Sequence, residues 1–198
     1  RGSGIRVGPP IAGLLPPGQY GRAPPPSEGG APPTPGKSRS SAESEARKAL
    51  NRLRRAAEEV VLDPKRTIQI GIRGGGDFLW EFSYQSGMTV IHAEEVAELG
   101  LDAVIARALE VVGAGPTYVS FDVDSLDPGF APGTGTPEVG GLEPREVMAV
   151  LRGLKGIDMK GGDVVEVAPS YDPTSNTAHA AAQMLFELAC LAALAPRG

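Results

Sequence analysis

Asp122 and Asp124 stand two residues apart at the end of a β-branched, apolar run, Thr117-Tyr118-Val119-Ser120-Phe121-Asp122-Val123. On an extended strand, residues i and i+2 share a face, so the two carboxylates converge. Paired carboxylates at the end of a buried strand repel unless a cation sits between them. Oxygen ligands suit hard or borderline cations such as Mg²⁺, Ca²⁺ or Mn²⁺. The same letters, Asp124-Ser125-Leu126-Asp127-Pro128, also make a good solvated turn, so spacing alone leaves both readings open. A second carboxylate, Glu166, lies inside Val164-Val165-Glu166-Val167-Ala168. A carboxylate in an apolar strand needs a partner, and a planar guanidinium fits it bidentately. That guanidinium could belong to a ligand or to an Arg of the chain itself. Between them runs Phe130-Ala131-Pro132-Gly133-Thr134-Gly135-Thr136-Pro137-Glu138, a long polar loop stiffened by prolines and suited to shape a pocket.

These residues need elements to hold them. Residues 67–72 (TIQIGI), 88–92, 117–123 and 163–168 read as strands. Residues 103–112, 144–154 and 177–194 read as helices, with Pro144 at a first-turn position and Asn176 as a candidate cap. A further helix begins at the capping box Ser40-Ser41-Ala42-Glu43 and stops near Asp63-Pro64. Strands alternating with helices predict a three-layer αβα fold with a mainly parallel sheet, and sites in such sheets lie at the carboxyl ends of the strands. Residues 1–40 are different: ten Pro and nine Gly predict a disordered segment, leaving 41–198 as the folded domain.

Composition excludes several classes. The net charge of −5 divides into +7 over residues 1–55 and −12 over 56–198, and the acidic body argues against a nucleic-acid partner. There is no run of 18 apolar residues, so no membrane span is expected. One cysteine, Cys190, cannot form an internal disulfide, and a reducing, cytoplasmic location is expected. His92 and His179 lie outside any metal-ligand spacing. Gly74-Gly75-Gly76 lacks the order and lysine of a phosphate loop. Trp80, Phe82 and Tyr84 alternate, as on one exposed aromatic edge. Arg54-Arg55 and Lys65-Arg66 are the basic pairs, read as solvated helix ends.

SFDVDSLDPGFAPGTGTPEVGGL (120–142), GGDVVEVAPSYDPTSNTAHAAAQMLFE (161–187) and LDPKRTIQIGIRG (62–74) together resemble the C-terminal half of the ureohydrolases, the arginase and agmatinase family. The likeness runs over about residues 54–194 and is nearest the agmatinase and guanidino-acid hydrolase branch. It implies hydrolysis of a linear guanidino compound, such as agmatine or a guanidino acid, to urea and an amine. It implies two Mn²⁺ ions bridged by a hydroxide that attacks the guanidinium carbon. Residue by residue, it makes Asp122 a metal-bridging ligand and Asp124 a ligand of one metal. Glu166 becomes the substrate-guanidinium acceptor, and Thr136 a hydroxyl near the bridging hydroxide. Asp127 is expected to fix the turn. The family also assembles as trimers or hexamers. The resemblance stops short of the Gly-Gly-Asp-His and Asp-Ala-His-x-Asp motifs that supply the other four metal ligands, and neither occurs here. A truncated, frame-shifted or misjoined chain is the expected reason, with a ureohydrolase-like protein that has lost catalysis as the alternative. In either case little turnover is expected of these 198 residues alone.

Overall fold

The computed structural model describes residues 4–8, 62–74 and 77–196, together with Arg55 and Ala57 as two helical positions. The rest of the helix expected over 40–63 lies outside the described residues. Five strands form one sheet: β1 (Ile5–Gly8), β2 (Ile68–Ile72), β3 (Thr89–His92), β4 (Thr117–Asp122) and β5 (Met159–Val165). Their order is β3-β2-β1-β4-β5. The outer pairs, β2 with β3 and β4 with β5, are parallel, and β1 runs antiparallel to both its neighbours. Five helices accompany them: α1 (Asp77–Ser86), α2 (Ala93–Leu99), α3 (Leu101–Val112), α4 (Pro144–Gly153) and α5 (Asn176–Leu194).

Strand alternation sorts the two faces. Ile5, Val7, Ile68, Ile70, Val119 and Phe121 are fully buried on one face. They pack against Val96 of α2, Val104 and Ala108 of α3, Val147 and Leu151 of α4, and Met184 and Leu188 of α5. The opposite face carries Gln69, Arg6, Ser120 and Asp163 in one cross-strand row. There α1 covers the β2 side, where Gln69 meets Ser83. Helices on both faces give the three-layer arrangement expected from the sequence.

Residues 5–8 depart from the disorder expected of residues 1–40. Their Ile-Arg-Val alternation supplies two core side chains, and averaging over forty Pro/Gly-rich residues hides so short a signal. Gly4 opens the strand at φ +136°, and a Cβ there would stand 2.5 Å from the Ile70 carbonyl oxygen. Only glycine fits. The aromatic stretch is a second difference. Phe82 and Tyr84 belong to helix α1, where two residues apart means different sides, so these two do not share an edge. Tyr84 is 53% exposed and its hydroxyl lies 2.6 Å from His92 Nε2. Helix α2 was not foreseen; Ala93-Glu94-Glu95-Val96 follows β3 without a break, and Glu95 caps it by accepting from His92 N at 2.6 Å.

Two further elements answer questions left by the sequence. Arg66 is no surface patch: its Nε and Nη2 donate to Val112 O at 3.0 and 2.8 Å, closing the C-terminus of α3. Helix α5 is long and apolar enough to cross a membrane by length and composition alone. In the fold, Met184, Leu188 and Leu191 pack in the core, and its buried Glu187 accepts from Arg152 Nη2 at 2.6 Å and Nε at 3.0 Å.

Candidate active site

Strand β4 delivers Asp122 at its carboxyl end, and a single 3-10 turn, Val123–Ser125, follows. The sequence reading had both aspartates on one extended strand. Their carboxylates do converge, but through this turn: Asp124 N donates to Asp122 Oδ1 at 3.1 Å, folding Asp124 back over its neighbour. Ser125 Oγ locks the turn by donating to Asp122 O at 2.7 Å. Asp122 and Asp124 are 8% and 1% exposed. Burial, and then the Asp124 charge, push the Asp122 carboxyl up to about 9. Close, desolvated carboxylates disfavour a second negative charge in this way. Thr136 Oγ1 donates to Asp124 Oδ2 at 2.6 Å, while Asp124 Oδ1 is buried with no hydrogen-bond partner.

Glu166 is placed differently from its expected position inside a strand. β5 ends at Val165, opposite Asp122 in the register, and Glu166 follows at φ +64°. A left-handed glutamate is a strained backbone, and such strain gathers at functional sites. It is half-buried, and its negative charge adds to the upward push on Asp122. Asp122 and Glu166 thus share the carboxyl ends of two neighbouring parallel strands.

The loop between them is held by acids of another kind. Asp127 Oδ1 accepts from Gly129 N at 2.9 Å, and Oδ2 from Gly140 N at 2.8 Å and Gly141 N at 3.2 Å. Asp172 Oδ2 accepts from Thr177 N at 2.6 Å, and Oδ1 from Thr174 N and Oγ1 at 3.0 and 2.6 Å. Asp172 therefore satisfies the start of α5, a task the sequence had given to Asn176. Gly133 sits against this cap, with its N donating to Thr177 Oγ1 at 2.8 Å and its O accepting from Ala168 N at 2.7 Å. A Cβ at Gly133 would lie 2.6 Å from Asp172 Cβ.

Two basic residues were missed by sequence reasoning. Arg73, just past β2, donates to Ser125 O at 3.1 Å, Leu126 O at 3.0 Å and Glu138 O at 3.0 and 2.6 Å, tying the Asp124 turn to the Thr136 loop. An arginine directly after an isoleucine-rich, fully buried strand was the available signal. Arg6 of β1 is the other: Asp122 and Asp163 act on it with opposite charge, while burial lowers its pKa. His92 pairs with Tyr84 and His179 is exposed, and neither joins the aspartates.

The partnerless Asp124 Oδ1 is the sort of buried atom a cation would satisfy. Two carboxylates and one hydroxyl are too few to enclose one. Among the described residues, no group of three or more His, Cys, Asp or Glu is arranged to hold a metal ion. A dinuclear centre does not fit these residues by themselves.

The architecture is an α/β sheet with acids clustered at the carboxyl ends of adjacent strands, and comparison makes it specific. Residues 40–190 match the Arginase family, and the chain belongs to that family, on its agmatinase-like side. It is 56% identical over 142 residues to a guanidinopropionase of Pseudomonas aeruginosa, spanning 71% of this chain and 45% of that protein. Among solved structures, it is similar to the proclavaminate amidino hydrolase from Streptomyces clavuligerus, with TM-score 0.66, 42% identity, and coverage of 71% of this chain and 47% of that one. It is also similar to a hypothetical agmatinase from Burkholderia thailandensis, with TM-score 0.64, 44% identity and coverage of 70% and 42%. The chain thus spans less than half the length of the relatives it matches.

Proposed function

We propose that this chain is the C-terminal part of a ureohydrolase that cleaves a linear guanidino compound, agmatine or a guanidino acid, to urea and an amine. The observation that carries this reading is the placement of Asp122 and Glu166 at the carboxyl ends of adjacent parallel strands, within a stretch 56% identical to a guanidinopropionase. In the complete protein, Asp122 and Asp124 would be two of the carboxylate ligands of a Mn²⁺ pair, whose chemistry would be to activate a water. Thr136 fixes the rotamer of Asp124 through the 2.6 Å hydrogen bond. Glu166 accepts the substrate guanidinium, for which a bidentate carboxylate is the natural partner. The strain at its φ of +64° holds that carboxylate beside the aspartates. Assembly into trimers or hexamers belongs to the same proposal.

By itself the chain lacks enough ligands, and with added Mn²⁺ it should release no urea above blank from agmatine or 4-guanidinobutyrate. A chimera supplies the missing part: the upstream half of the Pseudomonas aeruginosa guanidinopropionase joined to residues 54–194. Urea release by the chimera, lost in Asp124→Ala, supports the reading. A folded chimera whose activity survives Asp124→Ala overturns it.

A further inference from the structure

The segment at residues 4–8 lies before the family match, which begins at residue 40, yet it forms the central strand of the sheet. Without it, the matched part would fall into two separate parallel pairs, β3-β2 and β4-β5. Its Ile5 and Val7 enter the core, and Arg6 projects onto the polar face, in register with Gln69 on one side and Ser120 on the other. With its amide oriented so that both atoms are satisfied, Gln69 donates to Ser83 Oγ at 2.7 Å. Its oxygen then accepts from Arg6 Nε at 3.2 Å and Nη2 at 2.8 Å. Gln69 is 2% exposed, so this acceptor is fixed by α1 and does not swing to suit the arginine. Across the next strand, Asp163 pairs in register with Ser120, holds Tyr118 at 3.2 Å through Oδ2, and leaves Oδ1 buried without a partner. Asp122 lies one pleat further along β4 on the same face, opposite Gly4, whose missing side chain leaves that position unfilled by β1.

We propose that Gln69 and Asp163 form a guanidinium-binding seat on the polar face of the sheet, occupied in this chain by its own Arg6. The seat is separate from the Glu166 acceptor and goes beyond the proposed hydrolysis. Planar charge with forked donors suits it: one edge of the guanidinium meets the Gln69 oxygen, and Asp163 stands in the same cross-strand row. A compact ammonium carries the charge without the fork.

Emptying the seat and refilling it from solution tests this, using thermal unfolding of the full 198-residue chain, so that the outcome is independent of any urea assay. Arg6→Ala leaves the buried Gln69 oxygen without its donor and removes the positive charge from the row of Asp163, and should lower Tm by roughly 10 °C. Methylguanidinium at about ten times its Kd should then restore roughly 3 °C, saturably, in Arg6→Ala and not in the parent. Methylammonium or NaCl at equal ionic strength should restore nothing. An unchanged Tm in Arg6→Ala, or equal recovery with methylammonium, overturns the proposal. Should Arg6→Ala fail to fold, Arg6→Lys decides: a clear fall in Tm supports a seat that reads the fork, and parental stability overturns it.

Discussion

Four aspartates lie within one loop system, and they fall into two kinds. Asp127 and Asp172 have both oxygens filled by backbone N–H groups and hydroxyls, and their carboxyls titrate below the ordinary range. Asp122 and Asp124 face each other instead, with Asp122 pushed up to about 9 and one Asp124 oxygen left bare. The residue type is the same; what differs is whether donors answer both oxygens of each carboxylate. The first kind spends its acceptors on holding the loop. The second kind keeps unmet acceptor capacity in a buried place, which is costly for stability and useful only if something else arrives to meet it.

The sharpest way to break this distinction is in the active chimera. Asp124→Ala should cut urea release by more than about 100-fold with little loss of Tm, because a direct ligand is worth more than a residue that merely supports one. Asp127→Ala should do the opposite, lowering Tm while leaving most of the activity per folded molecule. If both variants lose activity and stability in parallel, the two kinds of aspartate are one kind.

Arg73 bridges the two regions and should show the next largest effect. It donates to Ser125 and Leu126 on the Asp124 side and to Glu138 on the loop side. Arg73→Met keeps the stem and removes the donors to Leu126 O and Glu138 O, while Ser125 O keeps its bond from Leu142 N; the cost should be about 3 kcal/mol, or roughly 10 °C in Tm. A fall below about 2 °C would show that solvent replaces these bonds freely. Gly133→Ala tests the contact of the loop with the α5 cap. Its Cβ would crowd Asp172, so we expect a loss of about 1–3 kcal/mol by chemical denaturation.

Much of this was legible in the sequence, for identifiable reasons. Asp122 and Asp124 sit in a local pattern whose spacing is short, so a few letters bring them together, whereas Thr136 stood out only through the family resemblance. The outer strands and helices α3 to α5 have periodic apolar faces of their own. β1 was hidden because four residues carry no periodicity against a Pro/Gly-rich background, and because its partners are some sixty and more than a hundred residues away. Arg6 and Asp163 could not be seen as neighbours without that register. Glu166 was read as part of a strand because its flanking valines look like one; its positive φ is imposed by how the chain leaves β5.

The smallest effect concerns the first kind of aspartate and depends on pH. Hydrogen bonds, first that from the Thr174 hydroxyl, hold the Asp172 carboxyl at about 2 in the folded state. In the unfolded chain it titrates near the ordinary value of about 3.9. A depressed folded pKa means that the unfolded state takes up the proton first. The stabilisation is therefore fully present above about pH 4 and is lost as pH falls toward about 2. Other carboxylates titrate over the same interval, so the informative quantity is the Tm difference between the parent and Asp172→Asn. That difference should be constant from pH 7 to about pH 5 and should shrink steadily below pH 4. A difference that persists unchanged to about pH 2 would mean that the cap acts through its shape, as a neutral amide also can, and that its charge contributes nothing.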